Sequence, residues 1–195
     1  MERKVKNSTK LSTRQMAIVG MLSGISILLG ITGLGFIPIP PINATIMHVP
    51  VIIGAIIEGP VVGATIGLIF GIFSIIRAIT APNILSFALI NPIVSVIPRV
   101  LIGICSFYIY KAMIGKFQPI KIAVGALIGS LINTFGVLGA IYIIYIDKYA
   151  HDFGLSIPKA KAAIIAAGFT NGIPEAILSI LITVPVVMAI KKVRK

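Results

Sequence analysis

Three charged side chains sit where the chain is otherwise almost wholly apolar: Arg77, Arg99 and Glu175. Placing such a charge at the centre of a bilayer costs about 2.5–3.5 kcal/mol on insertion scales, so it ordinarily faces a partner or a polar cavity. Asn91, Ser95 and Arg99 recur every four residues, as do Asn171, Glu175 and Ser179, and residues four apart share a helix face. Asn133 and Thr134 lie deep in a further apolar run, and Tyr142, Tyr145 and Tyr149 share a face near its outer end. Proline interrupts both charged stripes, Pro98 before Arg99 and Pro174 before Glu175. Each ring leaves the carbonyl four residues earlier without its amide partner, here Val94 and Thr170. Irregular backbone at that depth is tolerated where it is buried in protein or lines a cavity. Two kinds of chemistry are open. One is a structural ion pair between Arg99 and Glu175. The other is a pocket in which Arg99 holds an anionic group, while Glu175 and Asn171 exchange hydrogen bonds with hydroxyls or amides. The two are compatible, since a ligand can insert between the pair.

Weaker signals surround these. The default for Tyr142 and its neighbours is an aromatic belt at the membrane interface. Arg77, near the end of its apolar run, is expected to snorkel to the surface. His48, ahead of Val49-Pro50, reads as an interfacial hydrogen-bonder rather than a metal ligand, and no metal site is expected.

The elements that must carry these residues are membrane helices. Of 195 residues, 57% are hydrophobic and 11% charged, far from the composition of a soluble domain. A bilayer core takes about 20 apolar residues per helix. The pattern predicts six spans: Thr13 to Thr32, a short one from Val49 to Glu58, Val61 to Thr80, Pro92 to Lys111, Lys121 to Ile146, and Asn171 to Ile190. The second is too short to cross and is expected to begin earlier, near Ala44. The segment GLGFIPIPPIN (Gly33 to Asn43) cannot be regular helix. Pro158 to Phe169 reads as a partial helix or as the start of a long sixth span. One integral membrane domain covers 1–195, with basic ends at 1–12 and 191–195 flanking the bundle at 13–190.

Charge sets the orientation. The formal net charge of +12 suggests a nucleic-acid partner until its placement is read. Arg3, Lys4, Lys6, Lys10, Arg14, Lys111, Lys116, Lys121, Lys191, Lys192, Arg194 and Lys195 fall on one side of the six spans; only Lys148, Lys159 and Lys161 fall on the other. The positive-inside rule then predicts both termini in the cytoplasm, with membrane lipid and not nucleic acid as the surrounding. Arg77, Arg99 and Glu175 converge in the outer half.

Small residues mark surfaces of close approach. Gly63, Gly67 and Gly71 form a four-residue repeat suited to packing within the monomer, and Ala17, Gly20 and Gly24 form a small face suited to another membrane protein. The single cysteine, Cys105, excludes an intramolecular disulfide. The chain has no phosphate-binding G-x-x-x-x-G-K-[ST], no H-E-x-x-H and no catalytic carboxylate pair, so neither enzymatic activity nor a cofactor is expected. No inverted repeat relates its halves, which counts against common secondary-transporter folds.

The stretch MHVPVIIGAIIEGPVVGATIGLIFGIFSII, Met47 to Ile76, resembles the substrate-binding S components of energy-coupling factor (ECF) transporters. Length, basic ends and a long Gly/Pro-rich first loop agree. The resemblance implies an all-α, six-helix, N-in/C-in bundle that binds a vitamin in an outward-facing pocket. It implies delivery through a transmembrane coupling protein and two cytosolic ATPases. It implies a pocket at the first outer loop and the outer ends of spans four to six, where Asn43, Asn91, Ser95, Arg99, Asn133, Tyr142, Asn171 and Glu175 fall. It also implies a coupling surface of small residues on span one, with Gly20 and Gly24 in place of the family's alanines. Among vitamins, a buried arginine and hydrogen-bonding stripes favour pantothenate. The polar stripe of span four carries no aromatic residue for riboflavin, and the amino terminus carries no histidine for cobalt or nickel. Folate, pyridoxine and queuosine precursors remain open. A stand-alone channel, with the Arg99/Glu175 layer as its constriction, and a membrane-embedded enzyme using Glu175 are the alternatives from other classes.

Overall fold

The computed structural model describes residues 11–39, 42–82, 85–115 and 117–193, and side chains within these except those of 37–39 and 42–44. It is an all-helical bundle capped by a small hairpin. The elements are α1 Thr13–Thr32, β1 Phe36–Ile39, β2 Ile42–Thr45, α2 Val49–Glu58, α3 Pro60–Thr80, α4 Ser86–Leu89, α5 Pro92–Ser95, α6 Ile97–Ala112, α7 Gln118–Ile144, α8 Ile146–Asp152 and α9 Ile157–Val193.

Local chemistry fixes the helix ends. Ser12 and Gln15 make a reciprocal capping box at the start of α1, which satisfies two amides that have no intrahelical partner. Gly33, at φ 75°, ends α1 in the left-handed conformation that a side chain disfavours. Gly59, at φ 106°, turns the chain sharply between α2 and Pro60, the first residue of α3.

Among the described residues five stretches are long and apolar enough to cross a membrane: α1, α3, Pro92–Ala112, α7 and α9. Large apolar side chains such as Met21, Leu28, Ile31, Val61 and Leu181 stand exposed on them, a surface that water would penalise and lipid does not. The ten residues of α2 span only about 15 Å, half of a hydrocarbon core. Val51, Ile52 and Ala55 of α2 have no exposed surface at all, because this short helix lies in the middle of the bundle.

Two expectations about the elements are corrected, and of the two alternatives for Pro158 to Phe169 the start of a long last helix is the one found. The second helix does not begin near Ala44: Ile42–Thr45 is a strand paired antiparallel with Phe36–Ile39, with Phe36 opposite Thr45. The Pro/Gly stretch thus closes into a hairpin instead of extending the helix. The fourth run is not one straight helix, since α5 ends at Ser95 and α6 starts at Ile97, where Pro98 lacks the amide that would continue the ladder. The last helix starts at Ile157 and runs unbroken through Pro174 and Pro185; at about 1.5 Å per residue it reaches about 55 Å, well beyond the hydrocarbon thickness. A 37-residue helix absorbs two prolines because its neighbours hold it along most of its length.

The glycine stripe of α3 decides where the broken α5–α6 segment sits. A Cβ built on Gly63 would lie 3.0 Å from the Gly103 Cα, and one on Gly71 would lie 2.8 Å from the Val96 Cα. One on Gly67 would overlap the Arg99 carbonyl oxygen. The repeat therefore packs within the monomer and presses α3 backbone-to-backbone against the turn that carries Arg99.

Candidate ligand-binding cavity

The space above α2, which its missing turns would otherwise occupy, is a cavity of about 250 Å³. Thr45 and Met47, just ahead of α2, form one wall; α3 supplies Phe70, Phe73, Ser74 and Arg77. Arg99 comes from α6, Asn133 and Thr134 from α7, and Asn171 and Glu175 from α9. Phe36 of the hairpin closes over Arg77, whose guanidinium carbon is 4.7 Å from the ring centroid.

Glu175 is 5% exposed and fully engaged. It accepts hydrogen bonds from the Thr45 amide at 3.0 Å, the Thr45 hydroxyl at 2.8 Å and the Thr134 hydroxyl at 2.7 Å. All three donors are uncharged, and they tie the hairpin and α7 to α9. No ion pair joins Glu175 to Arg99 among the described residues.

Arg99 is 7% exposed and takes up the defect that Pro98 creates. Its Nη1 donates to the Val94 carbonyl at 2.8 Å, the acceptor that the missing proline amide would have served. This corrects the expectation that Val94 is left unpartnered. The guanidinium lies over Phe70, 5.6 Å from the ring centroid, and its Nε is buried with no hydrogen-bond partner among the described residues. The Oδ1 atoms of Asn133 and Asn171 are in the same state. Native interiors pair nearly all such atoms, so a donor and two acceptors left over around one cavity suit a ligand with both polarities.

Arg77 overturns the expectation of snorkelling. It turns inward, donates to the Gly30 carbonyl and lines the cavity beside Ser74. His48 is likewise no interfacial hydrogen-bonder, being fully buried with neither ring nitrogen paired among the described residues.

Of the residues singled out from spacing, the cavity brings together Arg99, Asn133, Asn171 and Glu175. Asn91, Ser95 and Tyr142 lie outside its lining. The side chain of Asn43, in β2, lies outside the described residues. Asn91 caps α5 by accepting from the Ile93 amide and donates to the Tyr145 hydroxyl, each at 2.9 Å. Ser95 donates to the Leu89 carbonyl. Both hold the junction between α4 and α5, and the break after Ser95 splits the four-residue stripe. Tyr142 lies beside a shallow apolar groove with Phe135 and Ile164, under the Lys161 ammonium. The tyrosine face divides as well, because α7 ends at Ile144 and Tyr149 belongs to α8.

The family description "ECF transporter, substrate-specific component" matches residues 14–187. The chain belongs to that family. It is also 30% identical over 168 residues to the pantothenic acid transporter PanT of Lactococcus lactis subsp. cremoris, an alignment covering 79% of this chain and 81% of the relative. The S component is thus a multi-pass membrane protein from a family of transport subunits, not of enzymes.

Sequence reasoning about this S component missed Thr45, Ser74 and the aromatic residues of α3. A signal for the α3 set existed: Phe70, Phe73, Ser74 and Arg77 are spaced at three, four and seven residues, one helix face ending in a charge. No local signal marks Thr45, whose partner Glu175 is 130 residues away.

Proposed function

We propose that this S component binds pantothenate in the cavity above α2, open to the cell exterior, and delivers it with a transmembrane coupling protein and two cytosolic ATPases. One observation carries the ligand class. Among the described residues two guanidinium groups line the cavity against one carboxylate, and that carboxylate already accepts three hydrogen bonds from uncharged donors. The positive excess favours an acid. Pantothenate presents a carboxylate for Arg99 or Arg77, and an amide and two hydroxyls for Asn133 and Asn171. A cavity of about 250 Å³ is below the common range of about 300–1,000 Å³ for ligand pockets and suits a small acid over a large ring system. The name of the Lactococcus relative supports the same acid. The basic termini and the twelve-to-three distribution of loop charges support six spans with both ends in the cytoplasm, α2 counting as the incomplete one.

The test is thermal stabilisation of the purified protein across a vitamin panel. Ligand at about one hundred times its dissociation constant adds about 2.7 kcal/mol to stability. Pantothenate should raise the melting temperature and riboflavin should not. A shift with another vitamin alone would discard pantothenate.

Coupling is assigned to α1. Ala17 and Gly20 are exposed, and a Cβ built on Gly20 or Gly24 meets no heavy atom within 4 Å. Among the described residues nothing packs against Gly20 and Gly24, a face suited to close helix–helix approach. Gly20→Leu should leave pantothenate binding unchanged and abolish uptake by the assembled transporter. Uptake at the unaltered rate would remove α1 from the coupling surface.

A further inference from the structure

The end of the bundle opposite the cavity carries a second charged arrangement. Tyr110 of α6 donates to Gln118 Oε1, at the start of α7, at 2.9 Å. Its hydroxyl oxygen accepts from the Lys191 ammonium near the end of α9. Lys191 Nζ lies 4.4 Å from the centroid of that ring and Lys121 Nζ lies 5.6 Å from it. Three helix ends thus gather two ammonium groups on one tyrosine, and exposed Lys192 follows in sequence. Among the described residues no ion pair joins either lysine to a carboxylate. The chain has no Asp or Glu between Glu58 and Asp147 and none after Glu175, and Glu58 is 3.4 Å from the Arg14 guanidinium.

A groove of about 600 Å³ opens here between Gln118, Met188, Lys191 and Lys192. Met188 and Ala189 are the apolar part of its lining, and Phe117, Ile120 and Val193, all exposed, lie within two residues of its Gln118 and Lys192. Concentrated positive charge, bound by an aromatic ring and bordered by apolar surface, is the complement of a phosphate carried on acyl chains. Soluble phosphate would satisfy the lysines alone and would leave the apolar border unused.

We propose that this groove is a binding site for an anionic phospholipid, its headgroup phosphate held by Lys121, Lys191 and Lys192 and its acyl chains against the adjoining ends of α7 and α9. The site is independent of the vitamin cavity.

Native mass spectrometry and thermal melting of the detergent-purified full chain, titrated with phosphatidylglycerol or with phosphatidylcholine of the same acyl chains, test it. The unaltered protein should bind phosphatidylglycerol more tightly. Each lysine removed should weaken that binding about fivefold, so Lys121→Gln with Lys191→Gln should lose about twenty-five-fold. The corresponding double arginine variant should retain the preference, and Lys159→Gln with Lys161→Gln, in the first turns of α9, should not alter it. If the double glutamine variant does not fold, Lys192→Gln at its exposed position should still show the fivefold loss. Equal affinity for the two lipids, or an undiminished preference in the glutamine variants, would overturn the proposal. So would stabilisation by inorganic phosphate alone that abolishes lipid retention, which would make this a soluble-anion site.

Discussion

Arg99→Ala is expected to weaken pantothenate binding by about 2–5 kcal/mol, which is about thirtyfold to several thousandfold in dissociation constant. The range follows from burial: at 7% exposure the guanidinium is largely removed from water, so a ligand carboxylate placed against it gains an attraction that solvent screens little. The same substitution has a second, separable effect. It strips the Val94 carbonyl of the donor that compensates for Pro98, and an unsatisfied buried acceptor costs about 1–3 kcal/mol of stability. Calorimetric titration of the folded variant separates the two, because it reads affinity whatever the loss in melting temperature. Arg99→Lys keeps the charge but loses the planar fork and is expected to fall between the alanine variant and the unaltered protein. Unaltered affinity in Arg99→Ala would mean that this side chain only repairs the backbone break, and the anion would then have to be held by Arg77.

Glu175→Ala is expected to act on stability first. The carboxylate receives the Thr45 amide, the Thr45 hydroxyl and the Thr134 hydroxyl; its removal orphans both Thr45 donors, while the Thr134 hydroxyl keeps the Ser130 carbonyl as an acceptor at 3.3 Å. At about 1–3 kcal/mol for each unsatisfied group, partly relieved by water entering the cavity, the net loss should be about 3–5 kcal/mol. For a chain of this size that corresponds to a fall of about 10 °C in melting temperature. The hairpin should loosen as well, since β2 is tied to α9 through this residue, and amide hydrogen exchange over 42–45 should rise. Glu175→Gln keeps the volume but offers one acceptor oxygen, and should lie between. Binding of an anionic ligand should suffer less than in Arg99→Ala, because the cavity becomes more positive. The opposite pattern, unchanged melting with lost binding in Glu175→Gln, would assign the carboxylate to the ligand and sink the structural role.

Arg99 and Glu175 thus have different work, although spacing alone presents them as equals. Each lies in an apolar helix beside a proline, and each has polar residues at four-residue intervals. What separates them is the company that distant segments bring. Glu175 meets a threonine from the hairpin and another from α7; Arg99 meets the carbonyl that its own proline frees. Asn91 and Ser95 share the spacing but not the cavity, because the helix breaks between Ser95 and Ile97 and the two sides of the break do not keep one face.

Composition and spacing alone set the class of the molecule and which of its charges fall inside apolar helices. Hydrophobic length, proline and glycine placement and helix period act within one segment, and the bilayer imposes them on each segment alike. That is why α1 and α3 begin and end within a residue of where composition puts them. Which polar residues face each other depends on packing between segments. The α3 glycines let the Arg99 turn approach, the half-length of α2 leaves space above it, and the hairpin closes that space over Arg77. Each depends on contact between segments far apart in the chain, and a period within one segment carries no record of what packs against it.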